Sequence, residues 1–212
     1  MISGGLLGKF FMNDLLQYEN TYWSRNLHVI GIDEAGRGPL AGPLVVAGVV
    51  FPVGFHHPEI NDSKQLSPQK RARLYDEIID QALFFEIAVI SPLEIDLLNI
   101  YQATKMAMTA IAKDLPGEVV LTDAMPITTA KECLAIIKGD TKSQSIAAAS
   151  ILAKVTRDRI MDEYDRDYPE YQFQKNKGYP TKTHVAALQE FGYTPIHRQS
   201  YEPVRISKRL KY

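Results

Sequence analysis

Two apolar, β-branched runs, Leu27 to Glu34 and Pro43 to Phe51, stand on either side of Ala35-Gly36-Arg37-Gly38-Pro39-Leu40-Ala41-Gly42. Runs of this kind read as strands, and the glycines and proline between them as a turn. The connection is too short for a crossover, which takes a dozen or more residues, so the two strands are expected to be antiparallel neighbours. Every later strand has to join a sheet that already contains that pair.

Downstream, helices and strands alternate. Ser67-Pro68 opens a helix, with serine as N-cap, proline at the first helical position and Leu74, Ile78 and Ile79 as the apolar stripe. Phe84 to Ile90 reads as a third strand. Ser91-Pro92-Leu93-Glu94 has capping-box spacing and predicts one helix running to about Lys113. Glu118 to Thr122 and Leu134 to Lys138 read as short buried strands, each ending at an aspartate, Asp123 and Asp140. A long helix from Ser143 to about Asp165 follows, and a last short one from Thr183 to Phe191 is stopped by Gly192. The alternation gives an α/β core, and the hairpin makes its sheet mixed. Without repeats, low-complexity tracts or Gly/Ser linkers, residues 1–212 are expected to form a single domain.

Three of these strands terminate in carboxylates: Asp33 with Glu34, Asp123 and Asp140. Strand ends can bring side chains from distant parts of a chain to one rigid spot, and four acidic groups so gathered would repel strongly without a cation. Oxygen ligands with no histidine or cysteine beside them favour Mg²⁺ or Mn²⁺ over Zn²⁺. The chemistry they permit is metal-assisted phosphoryl transfer, with two ions roughly 4 Å apart activating water and stabilising the leaving oxygen. One geometric objection stands. Neighbours in a regular strand point to opposite faces, so Asp33 and Glu34 share a site only if the strand bends or ends there. The residues also admit plainer readings, with Gly36 to Gly42 as a hairpin turn and Asp123 and Asp140 as turn or helix-cap residues.

The formal net charge is only −1, so an overwhelming global field for nucleic acid is excluded. Basic residues cluster locally instead: Lys64, Lys70, Arg71 and Arg73; Lys154, Arg157 and Arg159; Lys175, Lys177 and Lys182; and Arg198, Arg205, Lys208, Arg209 and Lys211. Cys133, the single cysteine, sits in an apolar run and reads as a small core residue in a reducing compartment. Met1 to Phe11 lacks the charge pattern of a secretory signal and no stretch approaches a membrane span, so a cytoplasmic protein is expected.

Gly31-Ile32-Asp33-Glu34-Ala35-Gly36-Arg37-Gly38-Pro39-Leu40-Ala41-Gly42-Pro43, together with Asn61-Asp62-Ser63-Lys64-Gln65-Leu66, Lys138-Gly139-Asp140, the stretch from Ile146 to Asp158, and His197-Arg198-Gln199-Ser200-Tyr201, resembles the bacterial type 2 ribonucleases H. The resemblance implies an RNase H-like mixed five-stranded sheet flanked by helices. It also implies an N-terminal segment at 1–26 and a C-terminal helical region, from about 166 to 212, that closes over the substrate. It assigns two catalytic metal ions to Asp33, Glu34, Asp123 and Asp140. At the third of these the chain reads Thr122-Asp123-Ala124, where Asp-Gly is more usual.

The same resemblance gives Gly36, Arg37 and Gly38 the reading of the 2'-hydroxyl, the group that distinguishes RNA from DNA. It places Tyr179 on the sugar after the cut, Lys64 on a phosphate, and the helix face of Lys154 and Arg157 along the backbone path. The implied activity is an endonuclease that cuts the RNA strand of RNA-DNA hybrids and the 5' side of single ribonucleotides in duplex DNA. A monomer is expected. The type 3 enzymes carry an N-terminal binding domain, for which about 26 residues before the first strand are too few; Met12 to Trp23 is expected to form at most a helix packed on the core. Two other readings remain open here: a duplex-binding module without activity, and a phosphohydrolase of small esters.

Overall fold

The computed structural model describes residues 15–209. The reading of Met1 to Phe11, the start of the expected N-terminal helix at Met12, and Lys211 lie outside them. Five strands form one sheet: β1 (Val29–Ala35), β2 (Leu44–Val50), β3 (Phe84–Ile90), β4 (Val119–Asp123) and β5 (Glu132–Ile136). Their order is β3-β2-β1-β4-β5. β2 runs antiparallel to both β1, as the short connection required, and β3, whereas β4 pairs parallel to both β1 and β5. The sheet is mixed, and β1 lies at its centre.

Alternation along the strands feeds two cores. Ile30, Ile32, Leu44, Val46 and Val50 face α3 (Pro92–Leu98) and α4 (Ile100–Asp114). Ala35, Val45, Ala47 and Val49 face α2 (Pro68–Gln81) and α5 (Gln144–Asp167). The odd-numbered face of β1 lets α5 come close. A β-carbon at Gly31 would lie 2.2 Å from the Ser145 carbonyl carbon, so glycine there seats the start of α5 directly on the central strand. α1 (Gln17–Trp23) packs Tyr22 and Trp23 against Val29, Val119 and Ile136, as expected for that segment.

The C-terminal region is helical, with α6 (Phe173–Asn176), α7 (Lys182–Phe191) and α8 (Glu202–Arg209). It therefore contains one helix beyond the short one expected to be last. A third apolar cluster joins it to the connection between β1 and β2 through Leu40, Ala41, Met161, Tyr171, Phe173 and Leu188.

The predicted capping of α2 by Ser67 and the Ser91–Glu94 capping box are both present. The single helix expected from Ser91 to Lys113 is instead two. Asn99 breaks it at φ 63° and caps α4 by accepting the Gln102 N–H. Asparagine tolerates positive φ and competes for backbone hydrogen bonds, which makes it the weak point of that run. β5 ends at Ile136 rather than Lys138, because Lys138 adopts a left-handed φ of 56° and turns the chain. Asp140 accordingly sits in a 3₁₀ turn, Gly139–Thr141, beyond the strand. Cys133 is partly buried against the α4 core. Among the described residues no helix is long and apolar enough to cross a membrane.

Candidate metal centre

β1 delivers Asp33 and Glu34 to opposite faces of the sheet, and its pairing with β2 continues unbroken through Ala35. The strand neither bends nor ends at the pair. What ends is its neighbour: parallel pairing with β4 stops at Ile32 opposite Thr122. Beyond that point the sheet is open on one side, and both acidic residues border the same cavity, of about 250 Å³.

Asp33, Asp123 and Asp140 each bring a carboxylate oxygen within 4.8 Å of the others. The backbone fixes all three. Asp33 Oδ1 accepts the Glu34 N–H at 2.7 Å, Asp123 Oδ1 accepts the Gly139 N–H at 2.7 Å, and the turn carrying Asp140 is held by Ser143 and Lys142 N–H donations to the Gly139 carbonyl. Burial raises the Asp33 carboxyl well above the usual carboxylate range, and the neighbouring charges of Glu34 and Asp123 push it further. Burial also raises Glu34 and Asp140.

Glu34 lies outside the tight trio. Its Oε1 is 3.5 Å from Arg37 Nη1, and its buried Oε2 has no hydrogen-bond partner. Clustered hard oxygen donors and one orphaned buried carboxylate oxygen fit a divalent cation of the Mg²⁺ or Mn²⁺ type. Lys64, mostly exposed, places Nζ 3.2 Å from Asp140 Oδ2. Burial works against its charge, but the hydrogen bond and charge of Asp140 outweigh that and raise its pKa.

Gly36, Arg37, Gly38, Lys64 and Tyr179 line the cavity with Asp33, Glu34 and Asp123, and Asp140 is joined to it through the aspartate trio. The two glycines of the loop do different work. Gly36 has φ 101°, and a β-carbon there would meet Arg157 Nε at 2.2 Å. Gly38 shows no such backbone; its bare face opens toward Tyr179, whose Cε1 would lie 3.6 Å from an added β-carbon.

Two basic residues are not solvated cations, although Arg157 does border the cavity as its helix face was expected to. Arg157 is 1% exposed and Arg198 fully buried. Arg157 donates to the carbonyls of Pro43, Ala41 and Lys177. Arg198 donates to those of Gly36, Arg37, Gly42 and Pro43 and to the Tyr201 hydroxyl. Burial pulls Arg157 down to about 10 and lowers Arg198 also. Both clamp the loop after β1 from behind. A signal for Arg157 was present in the sequence: Ala149, Ala153, Arg157 and Met161 are spaced by four on α5, and all are buried. Ser63, Ser150 and Lys154 also border the cavity.

A mixed sheet of this order, with an oxygen-ligand cluster at the open end of its central strand, defines the RNase H-like class of α/β proteins. The chain belongs to the ribonuclease HII family, whose model matches residues 30–204. It is 49% identical over 189 residues to ribonuclease HII of Lactobacillus helveticus, covering 88% of this chain and 76% of that one. Ribonuclease H2 of Pyrococcus horikoshii superposes with a TM-score of 0.72 at 27% identity, over 87% of this chain and 99% of that one. Bst ribonuclease HIII, solved in complex with Mn²⁺, shares the fold at a TM-score of 0.63 and 18% identity, over 87% and 70% of the two chains. The protein is therefore an enzyme of the ribonuclease H class, a metal-dependent phosphodiester hydrolase.

Proposed function

We propose that this enzyme hydrolyses the phosphodiester on the 5' side of a ribonucleotide, both in RNA-DNA hybrids and at single ribonucleotides embedded in duplex DNA. The products carry 3'-hydroxyl and 5'-phosphate ends. One juxtaposition supports this: a cluster of oxygen ligands and a loop able to approach a sugar closely border the same cavity.

Two Mg²⁺ or Mn²⁺ ions held by Asp33, Glu34, Asp123 and Asp140 supply an activated water and Lewis-acid stabilisation of the leaving oxygen when bound. The remaining work belongs to this chain. Gly36, Arg37 and Gly38 receive the 2'-hydroxyl, Tyr179 packs against the following sugar, and Lys64 exchanges Asp140 for a phosphate oxygen. With Arg157 and Arg198 committed to backbone carbonyls, the other cations bordering the cavity are Arg37, Lys64 and Lys154, each paired with a carboxylate. The chain is one domain, its region from about 166 onward closes over the duplex, and it acts as a cytoplasmic monomer.

A labelled DNA duplex with one ribonucleotide, incubated with the protein and Mg²⁺ or Mn²⁺, tests the reading. A single cut on the 5' side of the ribose is expected. No cut with either metal, or cutting at random positions, overturns it.

A further inference from the structure

Three successive main-chain carbonyls, from Lys177, Gly178 and Tyr179, are each taken by a different donor. Arg157 Nη1 reaches Lys177 O at 2.9 Å and the Leu40 N–H reaches Gly178 O at 2.8 Å. Tyr179 O lies 2.9 Å from His184 Nδ1 and also accepts the Thr181 N–H at 2.8 Å. The histidine is one end of a longer series. His184 Nε2 lies 3.0 Å from His197 Nε2, and His197 Nδ1 accepts the Thr194 N–H at 2.9 Å. Both rings are buried, edge-on or tilted against Tyr171 and Phe173.

The proton positions follow from one fact: a main-chain N–H can only donate. His197 Nδ1 is therefore unprotonated, and its proton is on Nε2, aimed at His184. His184 Nε2 must accept, which leaves its own proton on Nδ1, aimed at the Tyr179 carbonyl. Each tautomer forces the next. Burial lowers both rings, His197 to about 3, in keeping with a neutral pair. Lysine or arginine at this place would add a further buried cation to Arg157 and Arg198.

We propose that His184 and His197 are positioning residues for ribonucleotide recognition, fixing the carbonyl of Tyr179 and thereby the ring that stands over Gly38. The proposal rests on Tyr179 being the sugar contact, as proposed above. His197 belongs to the His197-Arg198-Gln199-Ser200-Tyr201 stretch, and the metal centre makes no use of it.

A double-mutant cycle tests it, with kcat and KM measured on duplex DNA containing one ribonucleotide at saturating Mn²⁺. His197→Phe keeps the ring volume and removes the donor to His184; kcat/KM should fall about tenfold. His197→Gln, whose amide N–H can replace Nε2–H, should recover most of that loss. In a Tyr179→Ala background, His197→Phe should change kcat/KM by less than about twofold. Nitrogen-15 shifts of the wild type near neutral pH should show His184 protonated at Nδ1.

Full multiplication of the His197→Phe and Tyr179→Ala losses overturns the proposal while leaving the sugar contact intact, as does a His197→Phe enzyme at wild-type rate. A Tyr179→Ala enzyme at wild-type rate removes the sugar-contact reading and the proposal with it. Should His197→Phe fail to fold, the tautomer decides: a proton on His184 Nε2 overturns the proposal.

Discussion

Asp33 and Glu34 leave β1 on opposite faces and still border one cavity, because β4 stops pairing one residue before them. Both carboxyls are raised by burial, as is that of Asp140. A carboxyl raised on folding holds its proton at pH values where the unfolded chain has lost it. The metal-free fold is thus progressively penalised as pH rises from the ordinary carboxylate range through the raised values, and the penalty is complete above them. Calorimetry should show Asp33→Asn melting above metal-free wild type at about pH 8, with the gap closing toward about pH 4. Mg²⁺ or Mn²⁺ should raise wild type at the higher pH far more than the variant, and the variant should lose cleavage. A gap that is constant with pH would contradict this.

Arg198 holds four carbonyls of the loop after β1, one more than the three donors of a lysine ammonium could serve. Arg198→Lys should destabilise the fold by about 2 kcal/mol and Arg198→Leu by about 3 kcal/mol or more, since buried acceptors are left unpaired. Urea unfolding measures both. Losses below about 0.5 kcal/mol would mean that the loop is held from elsewhere.

Ala124 follows Asp123 at φ 53°, and the Met125 N–H closes back on the Asp123 carbonyl at 2.7 Å. Ala124 therefore occupies a left-handed backbone, which favours glycine. Ala124→Gly should stabilise the protein by roughly 1 kcal/mol and preserve cleavage. A thermal melt that moves downward would show that the turn does not carry this strain.

Lys64 is largely exposed, and its partner Asp140 belongs to the carboxylate trio. If it transfers to phosphate on binding, Lys64→Ala should raise KM with a smaller change in kcat. The slope of log affinity against log salt should become shallower by about 1, the value of one phosphate contact. Titration of a labelled duplex at several salt concentrations reads this directly, and an unchanged slope would remove Lys64 from the phosphate path.

Local chemistry made much of the fold legible. The short connection after Glu34 dictated the antiparallel pair, Ser67-Pro68 and Ser91–Glu94 marked their helix starts, and strand ends pointed to Asp33, Asp123 and the neighbourhood of Asp140. The errors came where single residues took left-handed backbone: Asn99 split one helix and Lys138 shortened β5. Arg157 and Arg198 were misread for a different reason. In sequence they resemble any surface cation, and their burial is decided by carbonyls more than 110 residues away. The histidine pair was invisible although its partners lie within 13 positions, since its meaning rests on which main-chain groups the two rings meet.

The bond from Arg198 to Gly36 spans 162 positions. During synthesis every carboxylate of the metal centre emerges before Arg198, the later of the two arginines that brace the loop beside it. A growing chain can therefore gather its acidic cluster while the loop after β1 has Arg157 but not yet Arg198 to hold its carbonyls. The last brace on that loop is thus set by a residue 162 positions downstream of the glycine it holds.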